Sequence, residues 1–119
     1  MKYARGDIIL ADLPYTKRTG SKVRPALVVQ NDRNNARLDD VILAMITRTT
    51  SRSTTEPTQL LIDVTTPSGQ ATGLLHMSAV KCEHLVTLHQ KFVQRVIGRL
   101  PDALMQQINE CLKESLELK

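Results

Sequence analysis

The apolar residues of this chain come in short, β-branched runs, each cut off by polar or turn-forming residues before it reaches helical length. Val41-Ile42-Leu43-Ala44-Met45-Ile46-Thr47 is the plainest case, apolar without alternation and bounded by Asp40 and Arg48. A run like this is too short for a stable helix and reads as a buried strand. Val23-Arg24-Pro25-Ala26-Leu27-Val28-Val29-Gln30 has the same character, with Pro25 at its entry, where a missing donor is tolerable. Asp7-Ile8-Ile9-Leu10-Ala11-Asp12-Leu13 forms a strand ending near Pro14, and Leu60-Leu61-Ile62-Asp63-Val64 one ending before the turn Pro67-Ser68-Gly69. Gly73-Leu74-Leu75-His76-Met77 is expected to re-enter the sheet, with Ser78-Ala79-Val80-Lys81 close behind, and residues 92–100 to supply the last strand. Residues 31–40 read as a turn-rich connection, and residues 15–22 and 48–58 as exposed loops.

The period changes at the end. Pro101 and Asp102 open a helix, through a preset φ and a carboxylate at the positive end of the dipole. Leu104, Ile108, Cys111, Leu112 and Ser115 recur on one face of it, while Gln106, Gln107, Glu110, Lys113, Glu114 and Glu117 make the other polar. Many short strands and one helix predict a mainly β domain, either a strongly curled antiparallel sheet or a small barrel, with a C-terminal helix. At 119 residues, 41% of them apolar, the chain suits a single domain over residues 1–119.

Composition then limits the function. Aromatic residues make up only 3% of the chain, so broad stacking platforms for bases are scarce. The net charge of +4 favours an anionic partner, and it arises wholly in residues 1–58, with ten basic and six acidic side chains against six of each in residues 59–119. Cys82 and Cys111 are not closely spaced, and the start of the chain breaks into charge before any signal-peptide core forms. A cytoplasmic protein with two buried thiols is expected, with no membrane partner, since no apolar run approaches the roughly 20 residues of a span. His76, His84 and His89 lack a metal-ligand spacing, and no glycine-rich phosphate loop is present, so neither a metal nor another cofactor is expected. Cys82 near His84 reads as structural rather than as a thiol nucleophile with its base.

Three segments together resemble the MazF/PemK toxin family of endoribonucleases: Arg5-Gly6-Asp7-Ile8 with Ala11-Asp12-Leu13, residues 23–32 around Arg24-Pro25, and Ala44-Met45-Ile46-Thr47. The likeness extends across nearly the whole chain. It implies a small SH3-like, mostly β fold, a homodimer, metal-independent cleavage of single-stranded RNA, and a cognate antitoxin that occupies the toxin surface. It also implies that Arg24 and Thr47 stand at positions linked to cleavage. Family members often carry a Glu-Gln-Gly-like segment before the Arg-Pro pair, whereas Thr19-Gly20-Ser21-Lys22 keeps the glycine without the acid. Where some relatives place Arg and Asp two apart, this chain has His76 and Ser78.

RNA supplies its own nucleophile, the 2′-hydroxyl, and the product the family implies is a 2′,3′-cyclic phosphate with a 5′-hydroxyl end. The protein must then align that oxygen with phosphorus, stabilise added phosphate charge and manage two proton transfers. Arg24 suits the charge, because a guanidinium meets two phosphate oxygens at once. Thr47 offers a hydroxyl for hydrogen bonding to the scissile phosphate rather than for attack. Arginine stays protonated and makes a poor base, so His76 is the candidate for proton transfer, histidine being the side chain that changes charge near neutral pH. His84 and His89 are assigned to a polar connection and carry less weight. Lys17, Arg18, Ser21 and Lys22 before Arg24, and Arg48, Ser51 and Arg52 after Thr47, are candidates for tracking the RNA backbone. The alternatives are a noncatalytic RNA- or antitoxin-binding module and a gyrase-inhibiting toxin of similar fold.

Overall fold

The computed structural model of the chain describes residues 2–14 and 21–119. Its strands are β1 (Asp7–Pro14), β2 (Ser21–Val28), β3 (Asp40–Thr47), β4 (Gln59–Ile62), β5 (Ser78–His89) and β6 (Val93–Arg99). They form one antiparallel sheet in the order β4-β5-β3-β2-β1-β6, with β4 and β6 at its two ends, so the sheet is open and not a closed barrel.

The period-two geometry of strands divides the apolar residues between the two faces of this sheet. On one face Ile8, Leu27, Ala44, Ile46, Leu60, Ile62, Val80 and Cys82 form a core with Leu100. Helix α3 (Asp102–Leu116) closes this core with Met105, Ile108 and Cys111. On the other face lie Ile9, Ala11, Ala26, Val28, Val41, Leu43 and Met45, with Leu13, Val86 and Leu88 packed against them. β3 contributes to both, which is why its sequence shows no polar alternation. Cys82 and Cys111 are buried free thiols in the helix-covered core. Burial, reinforced by the neighbouring Cys111, pushes the Cys82 thiol up to about 12.

The structure corrects three expectations. Residues 31–40 contain a helix, α1 (Asp32–Arg37), which lacks an apolar period and is held by polar contacts instead. The Asn31 side chain accepts from the Asn34 amide at 2.8 Å, and buried Asn35 accepts from Gln30 Nε2 at 3.0 Å while donating to the Gln30 carbonyl at 3.0 Å. Residues 73–77 are not a strand. After the short helix α2 (Pro67–Gln70), the chain lies along the outer edge of β6, where the Arg99 amide donates to the Ala71 carbonyl at 2.9 Å. That approach requires glycine: Gly73 sits at φ +75°, and a Cβ on it would come within 2.1 Å of the Ile97 carbonyl oxygen. The third correction concerns His84 and His89, which belong to β5 rather than to a polar connection.

Candidate functional site

Two ladders meet β3, and each is irregular near the carboxyl end of that strand. The β2–β3 register runs Val28↔Leu43, Leu27↔Ala44, Ala26↔Met45 and stops. The Val29 amide donates to Ile42 at 3.2 Å, so by the alternation of an antiparallel pair the amides of Leu27 and position 25 also point toward β3. Position 25 is proline and has no N–H. Both of the next rungs, 25 with 46 and 24 with 47, need that donor, so the ladder ends there. Arg24 and Thr47 therefore stand level with each other on two strands that are no longer laced together.

On its other side β3 pairs with β5, and here Met45 faces Lys81 while Ala44 faces Leu85. Cys82, Glu83 and His84 lie between these partners and form a bulge of three residues in β5. An odd insertion reverses the alternation. Cys82 shares the helix-covered face with Val80, whereas His84 falls on the opposite face with Val86 and Leu88. Glu83 anchors the bulge to β4, accepting from Thr58 Oγ1 at 2.9 Å and from Gln59 Nε2 at 2.7 Å.

Two grooves meet along the line of Arg24, Ile46 and Thr47. The first, about 340 Å³, is walled by Leu10, Pro25, Leu74, His76, Arg95 and Ile97, with Arg48 at its side. The second, about 430 Å³, is walled by Met45, Lys81, His84, Val86 and Leu88. Arg24 and Thr47 border both. Among the described residues neither lining contains an Asp or Glu, and the cations are Arg24, Arg48 and Arg95 on one side and Arg24 and Lys81 on the other. The combination is apolar walls with a cationic divide, suited to an anion that carries flat apolar groups.

The Thr47 hydroxyl oxygen accepts from the Thr49 amide at 3.1 Å. That bond positions the oxygen and leaves its proton available for donation to an oxygen acceptor. His76 sits on the exposed loop before β5, where its carbonyl accepts from Ser78 Oγ at 2.7 Å.

The remaining sequence candidates divide. Arg48 lines the first groove, but Arg52 lies in the turn after β3 and lines neither. Exposed Lys22 is two residues ahead of Arg24 and so shares its face of β2, beyond the groove linings. Lys17 and Arg18, like the side chain of Ser21, lie outside the described residues. Sequence reading overlooked Arg95 and Lys81, whose positions on β6 and β5 were within reach of strand alternation, and set His84 aside.

Residues 4–116 match the family described as PemK-like, MazF-like toxin of type II toxin-antitoxin system. Endoribonuclease MazF9 of Mycobacterium tuberculosis is 33% identical over 118 residues, covering 96% of each chain. Endoribonuclease EndoA of Bacillus subtilis is 32% identical over 115 residues, covering 96% of this chain and 94% of its own. Among solved structures, a mycobacterial endoribonuclease in complex with its cognate antitoxin superposes with a TM-score of 0.77 at 25% identity, covering 98% of this chain and 97% of that one.

Proposed function

The chain belongs to the PemK-like, MazF-like toxin family of type II toxin–antitoxin systems, and from that membership and the Arg24–Thr47 divide we propose that it is a toxin endoribonuclease cleaving single-stranded mRNA at preferred sequences. The attacking group is the 2′-hydroxyl of the RNA, and the products are a 2′,3′-cyclic phosphate and a 5′-hydroxyl end. DNA, lacking that hydroxyl, is not a substrate. No metal is required.

The observation that carries this reading is the level placement of Arg24 and Thr47 where Pro25 ends the β2–β3 ladder, bordering both grooves. A phosphate seated there meets the guanidinium, which balances charge gained in the transition state, and the Thr47 hydroxyl, which donates to one of its oxygens. Nucleosides on either side of the phosphate occupy the two apolar-walled grooves. His76 in the first groove is a candidate for one proton transfer. Lys22 extends the cationic line toward more distant phosphates. The active form is a homodimer in the cytoplasm, and a cognate antitoxin holds it in check; a mycobacterial endoribonuclease of the same fold is known in complex with its cognate antitoxin.

The test is incubation with a complex single-stranded RNA pool in the presence of chelator, with both new ends mapped. Recurrent sites with cyclic-phosphate and 5′-hydroxyl ends are expected from the wild type, and a loss of at least about 100-fold from Arg24→Ala and Thr47→Ala, a scale set by single transition-state donors. Equal cleavage by a folded Arg24→Ala protein removes that side chain from the chemistry. Binding without cleavage would leave only a binding module.

A further inference from the structure

In-line displacement at phosphorus places the attacking 2′-oxygen and the departing 5′-oxygen on opposite sides of the phosphate. A base is therefore needed on one side and an acid on the other. The divide at Arg24 and Thr47 has one imidazole on each side: His76 in the first groove and His84 in the second. Among the described residues lining the two grooves, these are the only side chains of a type that exchanges protons near neutral pH.

We propose that His84 is a catalytic residue of this ribonuclease, working opposite His76 as the second member of an acid–base pair. The proposal rests on the cleavage reading above. One imidazole takes the 2′-hydroxyl proton as the O2′–P bond forms. The other gives its proton to O5′ as the P–O5′ bond breaks, so that charge and protons balance within the step. The β5 bulge makes this arrangement. Strict alternation from Val80 would put His84 on the face of Cys82, inside the helix-covered core, and the three residues inserted between Lys81 and Leu85 turn it into the second groove instead. Glu83, fixed by Thr58 and Gln59 from the β4 side, keeps the bulge from sliding back into register.

The charged groups around each imidazole come from several strands. In the second groove His84 shares its walls with Lys81 of β5 and Arg24 of β2. In the first, His76 shares them with Arg24, with Arg48 after β3 and with Arg95 of β6. Asp12 of β1, paired with Val23, is the nearby carboxylate on the β1–β2 side and lines neither groove. Glu83 adjoins His84 in sequence but is engaged on the β4 side.

The experiment compares kcat/KM against pH for the wild type, His84→Gln and His84→Asn on a mapped cleavage site, with binding to a 2′-O-methyl RNA of the same sequence as the second readout. The wild type is expected to show a maximum with two limbs. Both variants should lose one limb and fall about 100- to 10,000-fold in kcat/KM, the range for general acid–base groups, while binding changes less than about threefold. A substrate with sulfur in place of the bridging 5′-oxygen needs no acid, and it should restore turnover to whichever histidine variant lacks the donor. Retention of kcat/KM within about threefold, two intact limbs, or a loss expressed wholly in binding would overturn the assignment of His84. A wild type that cleaves none of the RNA pool would overturn the cleavage reading, and this inference with it.

Discussion

Replacing Pro25 with alanine puts an N–H where the sheet lacks one. The donor would point at the Ile46 carbonyl, and the rungs 25/46 and 24/47 would both become available. One net hydrogen bond contributes about 0.5–1.5 kcal/mol. Against it stand the lost restriction of the unfolded chain, about 0.4–1 kcal/mol, and part of the ring's contact with the first groove, about 0.8 kcal/mol for each methylene fully buried. These contributions nearly cancel, so stability should change by less than about 1 kcal/mol. Activity should not follow it. Closing the ladder ties Arg24 and Thr47 to a fixed rung and moves their side chains, and a displacement of about 1 Å at a positioned group can cost about 100-fold in rate. The assay pairs hydrogen exchange at the amide of position 25 with denaturant melts and kcat/KM on a mapped RNA site. A protected amide, near-wild-type stability and a large fall in kcat/KM are expected. If that amide exchanges like an exposed loop amide, or if it is protected and cleavage stays within about threefold, the claim that proline holds the cleft open is refuted.

The buried thiol gives an alkaline signature. With Cys82 raised by burial to about 12 in the folded protein and near 8.5 when unfolded, its contribution is complete below about pH 8.5 and declines as pH rises toward 12. Relative to Cys82→Ala, the wild type should lose about 1–2 kcal/mol between pH 8 and pH 10 in urea melts; parallel pH profiles for the two proteins would contradict this. For the basic residues, Lys22→Ala should reduce the salt slope of binding to 2′-O-methyl RNA by about one unit, while Arg52→Ala leaves it unchanged. An equal effect of the two in an ionic-strength series would show that sharing the β2 face of Arg24 does not select the phosphate contacts.

Much of the architecture is legible where one physical rule acts alone. β1, β2 and β3 are apolar runs stopped by proline or charge, and α3 carries Ile108 and Cys111 at helical spacing behind a proline start, so each was found close to its observed bounds. α1 escaped because caps and the Asn35–Gln30 pair hold it, leaving no hydrophobic period to detect. Residues 73–77 misled in the opposite way. Their apolar content matches a strand, but Gly73 turns the chain at positive φ against the edge of β6, and exposed Leu75 joins no ladder. Family likeness singles out Arg24 and Thr47, while the reason no rung joins them is present in the sequence as a single proline. His84 was hidden more deeply. Alternation is a local rule, and counting forward from Val80 or backward from Val86 assigns this residue to opposite faces, so only the register with β3 decides between them.

The two irregularities act on the same strand from opposite sides. Thr47 keeps its partner Ala79 in β5, which fixes the backbone from which its hydroxyl projects. Toward β2 it has no rung, which leaves the side with Arg24 open. A fully regular sheet would close that gap and would return His84 to the core face, burying an imidazole beside Cys82. A sheet irregular on both sides of Thr47 would leave its hydroxyl without a fixed direction. One laced edge and one unlaced edge at the end of β3 satisfy both needs, rigidity for the donor and room for a phosphate, and the large core formed by β3 on both faces supplies the stability that such a break requires.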